Sequence, residues 1–232
     1  MKKKLFRKDT EIEYYMLDDK LEDLGNDASL TLNDLLYLRN FKNRELWLDG
    51  DINEVTAGDI LTDIREYNRQ DYLLPPSERV PIKLFIDSPG GDVVAGLAII
   101  DTIYASKTPV YTVNVSKAYS MAFQIMISGH KRFAFKSSSF LLHDGAEGGF
   151  DSSSKFRDRL KFSDDLEKLE IENIVKRTKI TNEVYEKNVR REWYMLVPEA
   201  LELGVIDEVV ESFDQVCSFS EAHKTKLEDV FR

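Results

Sequence analysis

The chain has 232 residues, 42% hydrophobic and 11% aromatic, and a formal net charge of -10. That is enough apolar material for one substantial core, and a single domain is the expectation at this length. Its concentrated basic residues are the KKK of the opening segment, so the basic face that binding through phosphates requires is missing and a nucleic-acid partner is excluded.

The opening, MKKKLFRKDTEIEYYMLDD, is followed by no apolar stretch of signal-peptide length, and no run approaches a membrane span. A soluble cytoplasmic protein with no membrane partner is expected. Residues 1–30 read as a charged arm, and SLTLNDLLYLRN (29–40) as a short helix or turn. ELWLDGDI (45–52) alternates and closes on Asp-Gly, which suggests a strand and a turn. VTAGDILTDIREYN (55–68) spaces Ile60, Ile64 and Tyr67 as a helix does, and DYLLPPSERV (71–80) is a loop. IKLFID (82–87) is a strand, SPGGD (88–92) a sharp turn, VVAGLAIIDTIYAS (93–106) a helix and PVYTVNV (109–115) a strand, which is the βαβ pattern of a parallel sheet. SMAFQIMISG (120–129) reads as a buried helix ended by Gly129. KRFAF (131–135) and SFLLH (139–143) are strands, and DGAEGGFDSSS (144–154) is a glycine-rich loop. A long charged helix at about 155–179 places Phe156, Leu160, Leu166, Leu169 and Ile174 near one stripe. TNEVYEKNVRRE (181–192) and PEALELG (198–204) are helices, and VIDEVV (205–210) is the last strand.

Ser120 in VNVSKAYSMAFQIM has two readings from the residues alone. It is an N-cap, accepting from a free backbone N–H, or a nucleophile at a strand-to-helix turn. A nucleophile needs a base and oxyanion donors. Of the three histidines, His223 lies in a charged tail and His130 in a polar turn. His143 ends a strand, where sites of parallel α/β folds collect; it is the best-placed base, or a polar strand end with no task. Ser-Pro-Gly-Gly is a plain tight turn, or a source of closely approaching N–H groups. Met121, next after Ser120, offers a second N–H. The lone Cys217 has no metal-ligand spacing around it and reads as structural or incidental; no metal is expected.

FIDSPGGDVVAGLAIIDTI, AYSMAFQIMISGHKRFAF, FLLHDGAEGG and PEALELGVIDEV, in this order, resemble the Clp protease proteolytic subunit (ClpP) family. The resemblance implies an α/β, crotonase-like fold, a repeated ββα superhelical core with a protruding handle helix. It divides the chain into an N-terminal arm or axial region (1–44), a peptidase domain (45–211, handle about 150–180) and a C-terminal tail (212–232). It implies a serine endopeptidase that cleaves unfolded polypeptide inside a homo-oligomer of two stacked heptameric rings. An AAA+ unfoldase uses the ATP, and this chain needs no cofactor. Carried over by motif, Ser120 is the nucleophile, His143 the general base, Gly91 and Met121 the oxyanion-hole donors, and Gly90, Gly148 and Gly149 line the substrate groove.

Several features depart from the family. Ala122 follows Ser-Met where glycine is usual, residues 1–44 match the axial segment poorly, and the Pro-Pro stretch at 71–80 is long. Ungapped alignment on PEALELGVIDEV puts Asn188 where the family has the triad aspartate. Asn188 accepts from an imidazole N–H through its amide oxygen but brings no charge, and a flipped amide selects the wrong tautomer. Of the other acids, Asp144 adjoins His143 but is expected to point away from it, and Glu186 and Glu192 need a shifted alignment. A catalytically weak or inactive ring subunit is therefore the alternative. An acyl-thioester enzyme of the same superfold, and a Ser/Lys peptidase using Lys117, are further readings.

Overall fold

The computed structural model describes residues 31–145 and 152–217. The charged arm at 1–30, Gly148, Gly149 and His223 lie outside the described residues. Helix α1 (Leu32–Lys42) opens with a capping box between Thr31 and Asp34. Strand β1 (Glu45–Ile52) follows, then α2 (Glu54–Gln70), capped by Asn53. The segment expected to be a loop at 71–80 holds one 3₁₀ turn, Pro76–Glu78. It is tied down by Asp71, which takes Arg44 in a two-bond fork at 2.6 and 2.7 Å and the Thr108 hydroxyl at 2.8 Å.

The next units are β2 (Ile82–Gly91), α3 (Val93–Ala105), β3 (Val110–Tyr119), α4 (Met121–Ser128), β4 (Lys131–Phe135) and β5 (Ser139–Leu142). β1, β2, β3 and β4 lie side by side in parallel. β3 is longer than the expected 109–115 and changes partner along its length. Tyr111 to Asn114 pair with β4, and Lys117 to Tyr119 pair with β5. That switch turns the end of β3 from β4 to β5, while Ala118 stays paired with Ser88 of β2. The long helix α5 runs Ser153–Arg177, about 37 Å at the usual rise. Of its residues only Asn173 and Ile174 are buried. Leu160 and Leu169 of the expected apolar stripe are exposed, so α5 docks by its C-terminal end and projects elsewhere.

Helix α6 covers Asn182–Asn188, shorter than the expected 181–192. The remainder turns into β6 (Trp193–Leu196), which pairs antiparallel with β5. This four-residue strand is too short for an alternation signal. Helix α7 (Val197–Glu202) and strand β7 (Glu208–Val210) complete the fold, β7 pairing with β4 and starting later than the expected 205.

The apolar run of β2 is buried on both faces, as parallel strands under helices are. Leu84 and Ile86 enter the main core with α2, α3 and α4, while Phe85 joins Val113, Phe133, Val210, Val216 and Cys217 on the opposite face. Lys83, within this run, is buried and donates to the Asn43 carbonyl at 3.2 Å. The result is the expected α/β, crotonase-like architecture: a mostly parallel sheet, helices packed over it and a protruding helix. Among the described residues no helix is long and apolar enough to cross a membrane.

Candidate active site

The site is built where β2 and β3 end. SPGG is not the turn expected from its composition. It continues β2, with Ser88 paired to Ala118 of β3 and Gly90 and Gly91 paired to Asp51 and Ile52 of β1. Both ladders slip register here, between Asp49 and Asp51 on one side and Ile86 and Ser88 on the other. Strand pairing therefore holds the glycines in place.

The two glycines are required by close approach. Gly90 has φ 100°, and a Cβ there would lie 2.7 Å from the Tyr119 carbonyl oxygen, 2.8 Å from Ser120 Cβ and 3.1 Å from Met121 N. Gly91 has φ 148°, and a Cβ there would run into the Ile52 backbone, 2.7 Å from its nitrogen. Ser88, fully buried, accepts the Gly90 N–H at 3.1 Å, and Asp92 N–H goes to the Ile52 carbonyl at 2.9 Å.

Ser120 joins β3 to α4 with no residue between them. It turns the chain with φ 54° and ψ -124°. Among the described non-glycine residues only Arg44 shares a positive φ. Such a conformation costs on the order of 1–3 kcal/mol and is held by its surroundings. Here the holding contact is Ser120 N–H to the Leu141 carbonyl of β5 at 2.9 Å. Ser120 occupies the N-cap position of α4, yet its hydroxyl makes no capping bond. Thr31, Asn53, Asp92 and Thr181 all do cap their helices. The capping explanation is thus excluded, and the hydroxyl stays available at the sharp turn.

Met121 is the first residue of α4, so its N–H has no helical carbonyl behind it. Its side chain is buried in the notch left by Gly96, where a Cβ would lie 2.7 Å from Met121 Cε. Its N–H is thereby set beside Gly90, at the positive end of the helix.

His143 follows β5, two residues beyond the carbonyl that holds Ser120. Its Nε2 is buried, and among the described residues it meets no hydrogen-bond partner. Asn188 ends α6. Its Nδ2 donates to the Val184 carbonyl at 2.8 Å, one turn back. The next residues, Asp144 and Val189, are joined by an N–H to carbonyl bond of 3.2 Å. His143 and Asn188 therefore sit on adjoining segments. Among the described residues no hydrogen bond joins the side chains of Ser120, His143 and Asn188. The other acids are less suited: Asp144, Glu186 and Glu192 are exposed, and Glu192 accepts from Tyr194 at 2.8 Å.

The remaining reactive groups have other partners. Lys117 pairs with Asp87 at 3.0 Å. His130 Nδ1 accepts the Val110 N–H at 3.1 Å, and burial lowers its pKa. Burial, then the nearby Glu45 carboxylate, pushes the Cys217 thiol up to about 12, so it is no thiolate nucleophile. Among the described residues no three His, Cys, Asp or Glu side chains cluster as metal ligands. The polar residues Gln124 and Ser128 of α4 escaped the sequence reading. Their signal was legible: two polar side chains one turn apart in a helix that is otherwise apolar.

A family model described as Clp protease matches residues 31–213. The match runs from the residue that caps α1 to just past β7 and takes in both glycines of SPGG, Ser120, His143 and Asn188. The chain belongs to the Clp protease family.

Proposed function

We propose that this chain is a serine-type endopeptidase subunit that acylates Ser120. One observation carries the reading: Ser120 holds a strained turn while its hydroxyl is withheld from capping, beside a glycine whose missing side chain keeps the Met121 N–H open. In the reaction His143 takes the Ser120 proton as Oγ adds to the scissile carbonyl. The Met121 and Gly91 N–H groups hold the developing oxyanion. Collapse breaks the C–N bond, His143 returns the proton to the leaving amine, and an acyl-serine remains. Water then repeats the sequence and releases the acid.

Asn188 is the positioning residue for His143. Its Nδ2 is committed to Val184, and a flipped amide would set oxygen against carbonyl oxygen at 2.8 Å. The pinned orientation leaves Oδ1 as the acceptor for the imidazole N–H, so the tautomer is set without a charge. Cys-His-Asn sites work on the same principle. Family membership supports a ring-forming oligomer, two stacked heptamers, fed with unfolded polypeptide by an AAA+ unfoldase that uses the ATP; the chain itself takes no cofactor.

The missing charge at Asn188 favours a second reading, a ring subunit of weak activity. Fluorophosphonate labelling separates the outcomes. Wild type is labelled and Ser120→Ala is not. Absence of labelling in the assembled wild-type protein at every pH overturns the proposal. Peptide hydrolysis seen only on mixing with an active paralogue selects the second reading.

A further inference from the structure

Helix α4, which begins immediately after Ser120, has eight residues, all buried. A helix buried all round is ordinarily apolar, yet α4 carries Gln124 and Ser128, and both meet the buried end of α5. Asn173 Nδ2 lies 3.1 Å from Gln124 Oε1, 3.1 Å from Ser128 Oγ and 3.3 Å from the Gln124 carbonyl. Tyr104 of α3 donates to Asn173 Oδ1 and approaches Ser128 Oγ at 3.3 Å. Ser128 Oγ donates to the Gln124 carbonyl at 2.7 Å. Arg177 closes the far end, donating to the Ile127 carbonyl at 3.0 Å and to that of Gly129. Gln124 connects this junction to the site. Its side-chain Nε2 donates to Glu170 Oε2 at 3.4 Å, and its backbone N–H donates to the Ser120 carbonyl at 3.4 Å.

We propose that Asn173 and Glu170 of α5 are positioning residues for Ser120, acting through Gln124 and helix α4. A helix of eight residues does not hold its own place. Apolar contacts alone let it slide, whereas a satisfied polar network sets one register. The strained Ser120 turn needs such a setting, because its φ persists only where neighbours over-determine it.

The junction answers to the charge on Glu170. Burial, then Glu167 one turn earlier, pushes its carboxyl up to about 7, and the Gln124 amide opposes them. Among the described residues the facing groups add no cation. α4 presents the neutral Gln124. α6 presents Tyr185, whose hydroxyl lies 3.5 Å from Glu167 Oε1; burial raises its pKa, and Glu167, Glu170, Asp144 and Glu186 raise it further. When the junction parts and Glu170 meets water, its carboxyl returns towards the ordinary 4.5. Opening therefore releases a proton. It becomes easier as pH rises from 4.5 to about 7, by up to about tenfold per pH unit, and levels above.

The catalytic consequence rests on Ser120 being the nucleophile, but the junction itself does not. Hydrogen exchange on the full chain between pH 5 and 8, corrected for intrinsic rates, tests it. Protection of the α4 amides in wild type falls by up to about tenfold per unit to about pH 7 and then holds. In Glu170→Gln it stays high and flat, and in Asn173→Ala it is low throughout. A flat wild-type profile, a slope retained in Glu170→Gln, or an equal slope in the β1 amides overturns the proposal. The expected exchange pattern without fluorophosphonate labelling of any variant upholds the junction and removes the peptidase reading instead.

Discussion

Asn188→Asp adds a negative charge where the end of α6 meets the His143 segment, and it removes a hydrogen bond. The lost bond runs from Nδ2 to the Val184 carbonyl at 2.8 Å, about 1 kcal/mol at the usual net value. A carboxylate at a helix C-terminus also opposes the helix dipole, by about 0.3–1 kcal/mol. Stability should fall by about 1–2 kcal/mol in a thermal melt at pH 7. Activity moves the other way. In a serine protease of unrelated fold the reverse change lowers kcat by about 10⁴, which bounds the gain. The carboxylate here is repelled by Val184 and turns from the carbonyl, so a rise of about tenfold to a hundredfold in kcat/KM is expected, well inside that bound. The assay is kcat/KM for a fluorogenic peptide from pH 5 to 9. A kcat/KM within twofold of wild type across that range refutes the placement of Asn188 against His143.

Ser120→Gly releases the positive-φ strain at a smaller entropic cost, so it should raise stability by about 1 kcal/mol while abolishing labelling; a lower melting temperature contradicts the strain argument. Gly90→Ala forces a methyl to within 2.7–3.1 Å of Tyr119 O, Ser120 Cβ and Met121 N, so both stability and labelling rate should fall, the latter by at least about tenfold, and a rate equal to wild type counts against the open Met121 N–H. Asp71→Asn breaks the buried fork from Arg44 and should cost about 3 kcal/mol in denaturant unfolding at pH 7. Burial alone raises the Asp71 carboxyl, but Arg44 and Thr108 outweigh it and hold it below the ordinary 3.8. Its contribution is thus complete above that value and fades as pH falls through the folded value; an Asn variant whose deficit persists unchanged at the lowest pH where both still fold refutes the charge argument.

Strand and helix order was legible wherever periodicity and length were distinctive. KRFAF is a strand to the residue, ELWLDGDI stays a strand through the Asp-Gly expected to turn, and the long charged helix is displaced by only two residues. Errors cluster at sites of non-local pairing. SPGG reads locally as a turn because glycine and proline dominate turns, but β1 and β3 grip it from both sides and keep it extended. TNEVYEKNVRRE reads as one helix, but β5 recruits Trp193–Leu196 as a strand and leaves α6 ending at Asn188. The exposed Leu160 and Leu169 show the same limit, since a stripe does not say where its partner ends.

By itself the sequence determined which residue types were available for chemistry: one serine at a strand-to-helix boundary, one histidine at a strand end, a glycine pair upstream, and an amide where the family has a carboxylate. Those are properties of order and spacing. Only the tertiary structure decided how each is held. It withheld the Ser120 hydroxyl from its own helix because Leu141, distant in sequence, holds the backbone in a strained turn. It pinned the Asn188 amide through Val184 and joined Gln124 to Asn173 and Glu170 across two helices. Hydrogen-bond direction and strain depend on partners far along the chain, and no local pattern encodes them.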